Sequence, residues 1–192
     1  MEAAVGFATH SGWAVAVAAG LDEDGRLAVL DRRKVTLIDE DLPRMAFHAA
    51  ADLDPDAAER LVASVDASIV QCARAVVRDL VASDGAASVT GVAVIGEPRD
   101  IPSVSKVLAS HARMHASEGE QYRRGIVEAA NDLELPVLRI GADALSSRVI
   151  DVLGWTAERT ERELAAARAT LGPPWQADHK QATLAALVLL RS

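Results

Sequence analysis

Apolar residues open the chain in two short continuous runs, 3–9 and 13–19, and a third apolar stretch, 27–38, carries the polar group Asp31-Arg32-Arg33-Lys34 in its middle. Runs of this length bounded by turn residues predict strands. Residues 9–12 and 22–25 supply the turns. Asp24-Gly25 sits between alternating apolar stretches, and glycine accepts the positive φ that a tight turn needs, so the three strands are expected to form an antiparallel meander.

The period then changes. Asp54-Pro55 suits a helix cap followed by a first turn, and Leu61, Val65, Ile69, Cys72, Val76 and Leu80 recur at helical spacing, which predicts a long amphipathic helix broken by 83–88. Residues 89–96 are continuously apolar, as in a strand covered on both faces. A helix follows Ser103. Ser117 and Glu120 form a capping-box pattern that predicts a new helix start, running on through Tyr122, Ile126, Ala130 and Leu133. Pro136 introduces another strand, 136–141. Asp143 is placed to cap a helix stopped by Gly154, Thr156 one closed by Gly172-Pro173-Pro174, and the last helix, 181–190, is apolar nearly all round. Three strands, helix, strand, helix, strand and further helices predict an α/β fold. Its core is a mixed five-stranded sheet, the meander plus two parallel strands, with helices on both faces.

With 192 residues and 50% apolar content the chain can bury a substantial core, and one domain over 1–192 is expected. Aromatic residues are only 3%, so Val, Leu, Ile and Ala must fill that core. The net charge of -8 opposes a phosphate backbone, so any nucleic-acid contact needs a local patch. The segment 98–125 offers one in Arg99, Lys106, Arg113, Arg123 and Arg124, set against Asp100, Glu118 and Glu120. Cys72 is the sole cysteine, which excludes an intrachain disulfide and a zinc site built on thiolates. No apolar run approaches membrane-spanning length and Met1-Glu2 gives no basic leader, so a cytoplasmic protein is expected. A P-loop, a nucleophile elbow and a dinucleotide fingerprint are all absent from the sequence, which leaves acyl and hydride transfer without support.

Three segments carry a resemblance. The opening VGFATHSGWAVAVA with DEDGRL, the central YRRGIVEAANDLELPVLRIGADAL and the terminal PPWQADHKQATLAALVLL are similar, in motif and order, to the RuvC-type Holliday junction resolvases of the RNase H-like fold. The resemblance implies a site of two divalent metals, Mg or Mn, held by carboxylates from the first strand, the fourth strand and the final helix. Such metals lie ~4 Å apart, activate water and stabilise the leaving oxygen of a phosphodiester. Glu97, ending the fourth strand, and Asp178, on the final helix, match two of those acids and are the candidate catalytic and metal-binding residues. The first-strand acid is replaced by Ala8, and Gln181 stands where a second helix acid is usual. A neutral amide oxygen is a poor substitute for a carboxylate on magnesium. His10, two residues beyond Ala8, is the nearest replacement ligand and would favour softer metals.

Each of these residues also has a plainer reading. His10 suits a turn, Glu97 a loop at a strand exit, and Asp178 with Gln181 a helix cap. His111, His115 and Glu118 have the spacing of ligands on one helical face, but the capping box at Ser117 predicts an interruption before Glu118, which leaves a solvated polar face. His48, in an irregular connection, carries no readable chemistry. The resulting expectation is a catalytically degenerate RuvC-like binding or assembly module, by resemblance a homodimer. The competing expectation is a divergent metal-dependent endonuclease on branched or structured nucleic acid that uses Glu97, Asp178 and His10.

Overall fold

In the computed structural model, which describes residues 1–82 and 88–192, strands β1 (Glu2–His10), β2 (Trp13–Leu21) and β3 (Leu27–Thr36) form the antiparallel meander. Two strands, β4 (Ser88–Ile95) and β5 (Val137–Ile140), extend the sheet beyond β1 in parallel, giving the order β3-β2-β1-β4-β5. Local chemistry explains the turns. Gly12 and Gly25 take φ of 89° and 71°, and the Asp22 carboxylate accepts from the backbone N–H groups of Asp24 and Arg26 at 3.0 and 2.8 Å.

Alternation along the strands builds two cores. Val5 and Phe7 of β1, Ala14 and Ala16 of β2, and Val92 and Val94 of β4 face one layer. That layer contains α1 (Ala46–Ala50), α2 (Pro55–Ala82), α3 (Val104–Leu108) and α4 (His111–Asn131). Ala4 and Ala8 of β1, Val15 and Val17 of β2, and Ala93 of β4 face α5 (Leu145–Leu153), α6 (Ala157–Leu171) and α7 (Ala177–Leu190). The predicted mixed five-stranded sheet with helices on both faces is therefore present.

The middle of β1 on the side that faces α7 is Ala4, Gly6 and Ala8, and this lets the helix press onto the sheet. A Cβ on Gly6 would overlap the Ala182 carbonyl oxygen and lie 2.6 Å from its carbon. Helix α7 is buried from Ala182 to Val188, the environment that an all-round apolar helix requires.

Several caps behave as predicted: Asp54 Oδ1 accepts from Ala57 N at 3.0 Å, Thr156 Oγ1 accepts from Arg159 N at 3.2 Å, and Gly154 ends α5 with φ 65°. Three expectations need correction or qualification. The Ser117 capping box does not start a helix, because α4 runs unbroken from His111; Ser117 is buried and Glu120 is bonded to Arg139 instead of reaching back along its own helix. Asp143 does not cap α5, whose N-cap is Ala144. Of the break predicted over 83–88, residues 83–87 lie outside the described residues and Ser88 already opens β4. Among the described residues, no helix is long and apolar enough to cross a membrane.

Candidate functional site

At the carboxyl end of β1 the sheet register pairs His10 with Trp13 of β2. Their rings stack, with centroids 4.0 Å apart and planes 10° apart, and Lys34 Nζ of β3 lies 4.1 Å from the Trp13 centroid. From this platform His10 Nε2 meets Asp178 Oδ2 at 2.9 Å, across 168 residues of sequence. Two of the predicted site residues are thus in contact.

Asp178 is free to make this contact because others cap α7. The N-cap is Gln176, whose side chain accepts from the backbone of His179, while His179 Nδ1 accepts from Gln176 N at 3.3 Å. The predicted cap partnership of Asp178 with Gln181 is therefore replaced by Gln176 with His179. Asp178 stays in the first turn, where the helix dipole favours a carboxylate. A cleft of about 390 Å³ opens beside it between Trp13, Lys34, Pro174 and Gln176. Arg32 also lines this cleft, its guanidinium held in place by donating to the carbonyls of Leu171 at 2.7 Å, Gly172 at 2.9 Å and Pro173 at 3.3 Å, and also to that of Pro174.

Burial, and secondarily the Arg32 charge, push the His179 imidazole below its usual 6.5, with Asp178 opposing. A depressed histidine makes the unfolded chain the better proton binder, so this contribution to stability is present above 6.5 and is lost as pH falls through the folded-state value. Denaturant unfolding measured from pH 8 to pH 5 should show that acid-side loss in the native chain and a smaller one in His179→Gln. An identical pH slope in the two proteins would refute the assignment.

Glu97 belongs to a second group. Its side chain is exposed, and Oε1 accepts from Gly141 N at 2.9 Å, just beyond the end of β5. A Cβ on Gly141 would meet Asp143 Oδ1 at 2.5 Å and Glu97 Oε1 at 3.0 Å, so the two carboxylates crowd the same stretch of backbone. Asp143 was expected only as a cap; its place just after a parallel strand was the available signal that it stands with Glu97.

Beneath this corner lies a buried ion network. Glu120 of α4 accepts from Arg139 Nη1 and Nη2 of β5, both at 3.0 Å, and from Arg123 Nε at 3.0 Å. Arg139 also donates to the Gly96 and Glu97 carbonyls at 2.8 and 2.9 Å, fixing the exit of β4. Burial raises the Glu120 carboxyl, but the two guanidiniums outweigh it and hold the group below its ordinary 4.5. Arg123 is thereby removed from the basic segment, whose exposed members are Arg99, Lys106, Arg113 and Arg124.

Ala8 is 4% exposed and faces the α7 layer. The structure brings His10 to Asp178 and ties Glu97 to Gly141. Glu97 takes no part in the His10–Asp178 contact.

By sequence the chain matches no family model and no curated protein. Its fold does have solved counterparts. Over 98% of this chain and 92% of the other, it superposes on Thermus thermophilus RuvC in complex with a Holliday junction substrate, with TM-score 0.56 and 13% identity. A second Thermus thermophilus RuvC structure gives TM-score 0.52 and 13% identity over 97% and 91% of the two chains. The chain has a RuvC-like, RNase H-type fold.

Proposed function

We propose that this RuvC-like chain has lost the two-metal centre of its fold and works as a non-catalytic binding or assembly module. The observation that carries the reading is the buried methyl group of Ala8, facing α7 where the first-strand acid is expected. The surrounding contacts support it: Asp178 is engaged by His10 and Glu97 by a backbone N–H. Two divalent ions facing Glu97, its neighbour Asp143 and Asp178 would still keep an uncompensated positive charge, because His10 and Gln181 add none of the missing negative charge. We further propose a single domain over 1–192, a homodimer, and a reducing cytoplasmic setting in which Cys72 stays a thiol; burial pushes that thiol upward in pKa and keeps it protonated.

The ligand class that the fold suggests is structured nucleic acid, since one neighbour is a RuvC in complex with a Holliday junction substrate. Contact would run through exposed Arg99, Lys106, Arg113 and Arg124, which act locally against the net charge of -8.

Calorimetric titration with millimolar MgCl2 should give no binding at this corner and no rise in melting temperature, any MnCl2 response should be unchanged by Glu97→Ala, and a labelled four-way junction should stay uncleaved with either ion. Tight Mg2+ binding abolished by Glu97→Ala would sink the reading. The His10–Asp178 contact favours a second one, a divergent endonuclease with His10 beside the vacated corner. Metal-dependent junction cleavage that disappears in Asp178→Ala would establish that alternative.

A further inference from the structure

On the opposite face of the sheet the unbroken α4 has a consequence of its own. With no interruption at Ser117, His111, His115 and Glu118 share one helical face, and α1 brings His48 against them. One ligand nitrogen from each of His48, His111 and His115 can be chosen so that all lie within 4.8 Å of one another. His48 Nε2 and His111 Nε2 face each other at 3.3 Å. That is the edge of a tetrahedron with zinc–nitrogen bonds of ~2.0–2.1 Å, for which geometry requires ~3.3 Å. The His115 centroid lies 4.4 Å from that of His48 and 4.6 Å from that of His111, so the third ring closes the triangle.

A second, independent feature orients the cluster. Glu118 is 1% exposed, yet it is an acid. Both its oxygens lie 2.9 Å from His48 Nδ1, and Oε1 also accepts from His48 N at 3.1 Å. A proton on Nδ1 satisfies the carboxylate and leaves the Nε2 lone pair directed at His111. Carboxylate, histidine and metal in this sequence are the usual outer-shell arrangement of zinc ligands. The buried negative charge offsets part of the charge of an incoming dication.

We propose that His48, His111 and His115 form a zinc site, with Glu118 as the positioning residue for His48. Three neutral imidazoles without a thiolate select a zinc-class ion over magnesium. His111 and His115 are exposed, so the fourth position opens to solvent, as in zinc sites that retain a water. This site shares no residue with Glu97, Asp178 or His10, and it stands or falls separately from the function proposed above.

Titration of the untagged chain with ZnCl2 should give one equivalent of tight binding and a raised melting temperature. Co2+ in place of zinc should give the intense visible d–d absorption of a tetrahedral site. His111→Ala and His115→Ala remove exposed side chains and leave the apo fold intact; each should weaken zinc at least 100-fold. Glu118→Gln should weaken it ~10–100-fold with His48 still present. Asp178→Ala should leave zinc binding unchanged, which separates this site from the His10–Asp178 corner. Absence of zinc binding at micromolar concentration, or zinc binding that survives the His111→Ala, His115→Ala double variant, would overturn the proposal.

Discussion

Glu120→Gln is expected to destabilise the protein by about 2–4 kcal/mol, because it leaves two largely covered guanidiniums without their counter-charge. The Glu120 side chain is only 2% exposed, and its partners Arg139 and Arg123 are 11% and 19% exposed. Solvent therefore replaces only part of the lost pairing. Glutamine keeps the shape and one acceptor oxygen, so the loss reports the charge and not a cavity. The effect should depend on pH in a defined sense. Glu120 titrates below 4.5 in the folded protein, so its contribution is complete above 4.5 and falls away as pH drops through the folded-state value. Urea unfolding at pH 7 should show the full difference between native and variant proteins, and the difference should shrink in acid. A loss under about 1 kcal/mol at pH 7 would mean that the network is not what holds the β4 exit. Because Arg139 also grips the Gly96 and Glu97 carbonyls, the variant should loosen the Glu97 corner first. Amide exchange at Gly141, the donor to Glu97, would read that loosening directly.

Gly6→Ala should be comparably damaging for a different reason. The added methyl group would overlap the backbone carbonyl of Ala182, and a helix backbone has no rotamer with which to move aside. Helix α7 must lift from β1 as a body, with a cost at or above the top of the ~1–3 kcal/mol usual for overpacking. Lifting α7 also carries Asp178 away from His10, so the 2.9 Å contact should open and the His10 ring resonances should shift. Gly25→Ala is the informative control. Gly25 has φ 71° with nothing near its Cβ position, so only the backbone penalty of about 1–2 kcal/mol remains. Equal losses for the two variants in urea unfolding would show that α7 tolerates displacement and that the small-residue face of β1 does not set the helix position.

The two effects bear on how far the site could be read from the chain. Strand runs, the Asp24-Gly25 turn, the Asp54-Pro55 helix start and the Thr156 cap are local patterns, and each appears at its place in the fold. The uncharged, small-residue character of the first strand around Ala8 is legible as well, since it is a run of near neighbours. The Ser117 capping box misled because the same four residues fit a helix interior when Ser117 is buried and Glu120 has Arg139 as partner. Local pattern cannot distinguish these cases, since Arg139 lies on a different element, 19 residues along the chain.

The same argument separates the two clusters. The sequence sufficed for the order of elements and the mixed sheet, because periodicity and turn chemistry act between near neighbours; the candidate status of Glu97, Asp178 and His10 was what the resemblance implied. Packing decided the rest: that His10 reaches Asp178, that Glu97 serves Gly141, and that His48 joins His111 across 63 residues while bonding Glu118 across 70. Hydrogen bonds and metal ligation depend on distances of a few ångströms between elements. Those distances are set by how closely helices sit on the sheet, which no periodicity along the chain encodes.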